Sequence, residues 1–237
     1  MDTLFLLGKQ YDDIILYVDN LDLNETNQCT KVIKRLGGMN NLENISSNKI
    51  NLQFMRRGLK QAYIVSEASK SSRTSFVKTI EKSVFSSDDC EIVNEKADWL
   101  HICYLDDIED YPNIKNIRVP FSIDFCTNIP RKEFLTIMKK SKVIFDSRER
   151  KELYNNVSID TPIVFHDEYG VEVLLKAETI FKKSMVPTMG LNVNGAGDIY
   201  ALLFILRNKD HSITDSATKA MEDTTKKLIQ RGKSEKI

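Results

Sequence analysis

The sequence predicts an α/β fold: a mostly parallel central sheet sandwiched between helices, with a small β-lid at one edge. Three observations predict it. Short apolar, β-branched runs too brief for helices recur along the chain. Segments with helical periodicity separate them, the alternation expected of a parallel sheet covered on both faces. A length of 237 residues suits one substantial core with a small appended layer.

In chain order, "TLFLLG" and "DIILYVD" read as two strands. After Gly37-Gly38, residues 39–57 contain helix formers with a poor apolar stripe, and a helix is expected there. "QAYIVSEASKSSRTSFVKTI" reads as a hairpin, an apolar arm on each side of a Ser/Lys tip. "DWLHICYL", "IRVPFSIDF", "KVIFD" and "TPIVFHD" are buried strands, and "PRKEFLTIMKKS" is a helix with Pro130 at its first position. In "ITDSATKAMEDTTKKLIQRG", Ile213, Ala217, Ala220, Thr224 and Leu228 form a stripe at three- and four-residue steps, with Gly232 expected as the C-cap. The whole chain reads as one domain, 1–237, its lid built from residues near 14–35 and 61–78.

Basic and acidic residues balance at 34 each, so no global field favours nucleic acid or an acidic membrane surface; a small-molecule partner is expected. Cys29, Cys90, Cys103 and Cys126 are too scattered for zinc or a disulfide framework and read as reduced thiols of a cytoplasmic protein. The opening "MDTLFLLGKQ" lacks a signal-peptide pattern, and no run is long enough to span a membrane. His101 and His166 read as core strand residues, His211 as a loop residue.

The candidate site begins at Asn194-Gly195-Ala196-Gly197-Asp198, immediately before the apolar run "IYALLFILR". Glycines there allow a sharp turn and close approach of a ligand, and the unpaired N–H groups of the helix start, with its dipole, favour an anion. Asp198 at the helix start stays ionised, able to orient and accept a hydroxyl proton; it is equally a plain capping carboxylate.

"NGAGDIYALLFI" resembles the C-terminal signature of the ribokinase-like (PfkB) carbohydrate kinases, and further segments follow in that family's order over nearly the whole chain. The resemblance implies an ATP-dependent kinase acting on a hydroxyl of a sugar or sugar phosphate, with Mg2+ and, as a further cofactor, a monovalent cation. It makes Asp198 the catalytic base and Gly195, Ala196 and Gly197 the anion hole. "FLLGKQYDDIILYVD" is similar to the family's opening strand, with Asp13 at the position that holds sugar hydroxyls. "RLGGMNNLEN" resembles its Gly-Gly-x-x-Asn segment, so Gly37 and Gly38 would lie against the sugar and Asn41 would bond a hydroxyl. "VIFDSRERKEL" sits where the family has Asn-x-x-Glu, which implies Glu149 and Asp146 around magnesium. "PIVFHDEYGVEV" resembles the turn beside the nucleotide ribose, with Asp167 and Gly170; Asn194 would join them on the nucleotide side. Arg73 in the hairpin either reaches a substrate phosphate or carboxylate or is an ordinary surface arginine. Singly, the Gly-Gly pair is a turn, Asp13 a surface acid and Glu149 one charge on a solvated helix face; their order is what points to a site. The lid would exclude water, and a homodimer through it is expected.

The sequence departs from the pattern at Asn192 and Val193, where the family has Asp-Thr, at Asp146 in place of Asn, and at Asp167 in place of glycine. A strand–helix unit between Gly37-Gly38 and "ADWL" is expected to be missing. These departures motivate a second reading, a ribokinase-like protein that binds a sugar or nucleotide without turnover as a regulatory subunit. A dinucleotide-dependent oxidoreductase is disfavoured, since only Gly8 follows the first strand.

Overall fold

A computed structural model describes residues 2–43, 45, 50–67, 73–186 and 193–234, the side chains of 73, 233 and 234 excepted. Asp2–Val18 forms one strand, β1, where the sequence suggested two. Gly8 and the polar residues after it do not break the strand, because pairing with β3 (Ile50–Glu67) continues past a register shift between Gly8 and Gln10. That irregularity marks a change of partner. Before it, Leu4–Leu7 pair in parallel with β5 (Trp99–Ile102); beyond it, Gln10–Tyr17 pair antiparallel with β2 (Lys31–Gly38).

Residues 50–57 are therefore strand, not the helix expected over 39–57; among the described residues there, only Met39–Leu42 takes a helical turn, of the 3-10 kind. Their weak helical stripe is explained by the pairing: Leu52, Phe54 and their neighbours lie beside β1, and the sheet overrides local propensity. The second half of β3 pairs antiparallel with β4 (Arg73–Glu81), Ser66 opposite Arg73 and Gln61 opposite Lys78. The far halves of β1 and β3, with β2 and β4, thus form a four-stranded extension of the main sheet, spanning 10–38 and 59–81.

The sheet continues from β5 through β6 (Phe121–Asp124), β7 (Val143–Ser147) and β8 (Ile163–Asp167), all parallel, to an antiparallel edge of β9 (Gly170–Leu175) and β10 (Glu178–Ser184). Strand alternation divides the core between two faces. Leu4, Leu6, Val143, Phe145 and Val164 pack toward helices α3 (Ala196–Asn208) and α4 (Ile213–Ser234). Phe5, Leu7, Leu100, Ile102, Ile123 and Phe165 pack toward α1 (Ser87–Lys96), the short α2 (Leu135–Met138) and 3-10 turns.

α3 buries every residue from Asp198 to Ile205, as a helix apolar all round must, between the sheet and α4. Ala217, Ala220, Thr224 and Leu228 of the expected stripe are buried in this layer, joined by Met221. Two helix boundaries differ from expectation. Pro130 precedes a 3-10 turn, Arg131–Phe134, instead of opening an α-helix, and α4 runs through Gly232 to Ser234. Ser212 caps α4, accepting from the Asp215 N–H at 3.1 Å.

On the opposite face a charged group is fully buried. Arg131 lies 2.8 Å from Asp146 and 3.4 Å from Asp106, donates to the carbonyls of Ile129 and Thr127, and stacks over the Phe125 ring at 4.0 Å. It ties the ends of β6 and β7 together at the rim of the site.

Candidate active site

The C-terminal ends of β6–β8, the start of α3 and the inner face of the four-stranded extension enclose a cavity of about 680 Å³. The edge of such a sheet, beyond the strand carboxyl ends, is where open α/β folds bind ligands.

The Gly-Ala-Gly-Asp turn stands at its centre. Gly195 takes a left-handed backbone, φ 75°, and a Cβ there would lie 2.3 Å from Asn41 Nδ2, so both conformation and space require glycine. Ala196 opens the helix, its N–H donating to the Val193 carbonyl at 3.0 Å, and places Asp198 in the first turn, buried, with Gly195 to Asp198 lining the cavity. The Tyr104 hydroxyl donates to Asp198 Oδ1, and Asn41 Nδ2 donates to Oδ2 at 3.4 Å. Tyr104 is itself left-handed, φ 67°, an unusual state for a bulky residue. Burial first, and then the Asp198 charge, push its phenol well above the ordinary range, so it serves as a donor.

On the side of the four-stranded extension, Asp13 is buried on β1 and accepts from Asn194 Nδ2 at 3.0 Å, with the Arg35 guanidinium 3.9 Å away. A Cβ on Gly37 would fall 2.1 Å from Asp13 Oδ2, and Gly38 has φ 61°. These glycines make room for the carboxylate and let the chain turn beneath it. Asn194, expected on the nucleotide side, turns its amide to Asp13 instead, while its carbonyl accepts from Arg231 at 2.8 Å and Arg35 at 3.4 Å.

On the opposite side, Glu149 is exposed on the cavity wall and Gly170, φ 141°, lies against the Lys183 carbonyl. Asp167 lies 3.0 Å from Arg148, which offsets its negative charge at the cavity wall. Asp146 does not reach the cavity lining: its carboxylate is fully buried and taken by Arg131, by Arg150 at 2.6 Å and by the Tyr154 hydroxyl at 2.8 Å. The residue expected beside magnesium is an anchor for two arginines. Arg73 belongs to β4, but its side chain lies outside the described residues, as does Asn192; Val193 lines the cavity.

Sequence reasoning passed over Tyr104 and Asp124 and read His166 as a core strand residue; all three line the cavity. Asp124 ends β6 and His166 lies near the end of β8, and alternation with their apolar neighbours places both on the α3 side. Burial first, then the charges of Asp198 and Asp146, hold the Asp124 carboxyl well above the usual carboxylate range. A polar residue at the carboxyl end of a parallel strand was the available signal. His101 is, as expected, a core residue: fully buried, with Nδ1 2.9 Å from the Ser122 hydroxyl.

No protein-family model matches the sequence, and no curated protein is similar to it. Solved structures are. The fold is similar to ribokinase from Thermotoga maritima at a TM-score of 0.66 and 11% identity, over 94% of this chain and 92% of that one. Against Arabidopsis thaliana ribokinase complexed with ribose and ATP, the values are 0.64 and 13%, over 94% and 91%. Against the Methanocaldococcus jannaschii nucleoside kinase, they are 0.62 and 14%, over 97% and 99%. With that agreement over almost the whole of each chain, and with the mostly parallel sheet and flanking helices described above, this protein has the ribokinase-like (PfkB) fold.

Proposed function

We propose that this protein is an ATP-dependent kinase that phosphorylates a hydroxyl of a sugar or sugar-like metabolite. The observation that carries the proposal is the position of Asp198. It is a carboxylate in the first turn of α3, directly after a two-glycine turn, in the same cavity as Asp13. Phosphoryl transfer asks chiefly for positioning and for stabilisation of the charge on the transferring group.

In this reading Asp13, Gly37, Gly38 and Asn41 hold the substrate against the lid, and Asp198 accepts the proton of the hydroxyl that attacks. Gly195 and Gly197 offer backbone N–H donors to the transferring phosphoryl group, while Ala196, whose N–H is held by the Val193 carbonyl, shapes the turn between them. Gly170 and Asp167 flank the nucleotide, with Arg148 balancing the acid. Among the described residues no cluster of three metal-ligating side chains exists. That fits a Mg2+ held largely by phosphate oxygens and water, with Glu149 as the nearby organising carboxylate. Bound there, Mg2+ would neutralise phosphate charge; Asp146, committed to arginines, is left out. The four-stranded extension acts as the lid, excluding water that would otherwise divert ATP to hydrolysis. Its outer face exposes Tyr63 and the cross-strand Phe76, which supports a homodimer through the lid.

The test is ADP release from Mg-ATP over a panel of sugars, sugar phosphates and nucleosides. Substrate-dependent release, reduced at least about a hundredfold in Asp198→Asn, is expected. Nucleotide binding without turnover on any panel member would favour the non-catalytic reading instead.

A further inference from the structure

The lining of the cavity is acidic: Asp13, Glu149, Asp167 and Asp198 all belong to it. Among the described lining residues, Arg150 is the one lysine or arginine. It follows Glu149 in the 3-10 turn Arg148–Tyr154, at the end of β7, and has no role in the proposed function.

The guanidinium is anchored along one edge. Nε donates to Asp146 Oδ1 at 2.6 Å and Nη2 to the Phe125 carbonyl at 2.9 Å. Those two nitrogens share an edge of the planar fork, so Nη1 lies on the other side. Nη1 has no hydrogen-bond partner among the described residues, and it is not buried as the unpaired nitrogens of the neighbouring Arg148 are. The side chain keeps 20% of its surface exposed on the cavity it lines, and Nη1 is the donor left to face that space. Burial disfavours the guanidinium charge, but Asp146 more than offsets this and holds the pKa above the usual arginine value.

Arg150 bridges the carboxyl ends of β6 and β7 through Phe125 and Asp146, and His166 stands near the end of β8 beside them. After burial, the Arg150 charge is the larger of two that lower the His166 pKa to about 4, which places the guanidinium near that ring. The ring in turn abuts the anion turn, with Cε1 3.0 Å from a Cβ placed on Gly197. The Asp146–Arg150 pair also accounts for the departure at 146: a carboxylate holds Nε by a charge-assisted bond that the amide of an asparagine would make more weakly.

We propose that Arg150 is a nucleotide-binding residue, donating Nη1–H to a phosphate oxygen of the phosphoryl donor. The inference rests on the kinase reading. With Nε and Nη2 already bonded, the third donor is held in place before the nucleotide arrives, so little ordering is required on binding. It brings positive charge to a wall that otherwise carries acids.

The experiment is calorimetric titration with Mg-ADP and with adenosine on the wild type, Arg150→Met and Arg150→Lys. Both variants leave Asp146 bonded to Arg131 and Tyr154. Expected is a loss of about tenfold or more in Mg-ADP affinity in Arg150→Met, partly restored in Arg150→Lys, which keeps the charge without the anchored fork, and adenosine affinity unchanged. Unchanged Mg-ADP affinity in Arg150→Met, or equal losses for ADP and adenosine, would overturn the proposal. Guanidinium NMR of the wild type gives the same answer without a substitution: the Arg150 Nη1 resonance should shift with Mg-ADP and not with adenosine. No shift would count against it even if the variants failed to fold. A wild type that binds neither ligand removes the kinase reading itself, and this inference with it.

Discussion

At the scale of single residues, the site depends on groups whose neighbours leave them little choice. Gly195 combines a left-handed backbone with contact against Asn41, so Gly195→Ala should lose activity and destabilise the fold by about 1–2 kcal/mol, measured by denaturant unfolding. Tyr104 donates to the proposed base. Tyr104→Phe removes that donor, leaves the carboxylate easier to protonate, and should move the acid limb of the kcat profile to higher pH; an unmoved limb would deny Tyr104 this role. His101 gives a stability prediction. Burial lowers its pKa from 6.5 to about 3, so below pH 6.5 the unfolded chain takes up a proton that the folded chain refuses. Unfolding free energy should therefore fall as pH drops from 6.5 toward 4, by up to about 1.4 kcal/mol per unit, and less steeply in His101→Asn. Asp13, Asp198 and the glycines were legible in the sequence because each sits in a short, ordered motif. Tyr104 and His166 were not, since nothing local distinguishes a core aromatic or histidine from one at a strand end facing a cavity.

At the scale of elements, apolar runs marked β5–β8 and α3 well because burial on both sides requires continuous hydrophobicity. The signal failed where tertiary pairing decided the structure. β3 carries Arg56, Arg57 and Lys60 within an 18-residue strand, and those residues are tolerated because each pairs with an acid: Arg56 with Glu43, Arg57 with Asp89, Lys60 with Asp107. The helix expected around residues 131–141 shortened to a 3-10 turn and one α-turn, because Arg131 is drawn inward to Asp106 and Asp146. Removing that arginine takes the cation from between two buried carboxylates, Asp106 and Asp146, of which Asp146 keeps Arg150. Arg131→Leu should cost about 3–5 kcal/mol of stability in denaturant unfolding; a cost below about 1 kcal/mol would show the triad to be dispensable.

At the scale of the whole molecule, one long strand joins the two parts that the proposed kinase would use. β1 is core strand at Leu4–Leu7 and, after its irregularity, a strand of the four-stranded extension carrying Asp13, so the proposed substrate acid is built on the same element as the sheet. The start of α3 contacts both sides of the cavity, Asn41 and Tyr104 through Asp198 and His166 through Gly197. A phosphoryl donor and a hydroxyl acceptor bound on those two sides would meet at the glycine turn. The most direct measurement is the fate of a labelled γ-phosphoryl group of Mg-ATP offered with the sugar, sugar phosphate and nucleoside panel. The account predicts label transferred to a hydroxyl of one class of acceptor, abolished by Asp198→Asn. Label released only as inorganic phosphate, or retained on ATP across the panel, would contradict it.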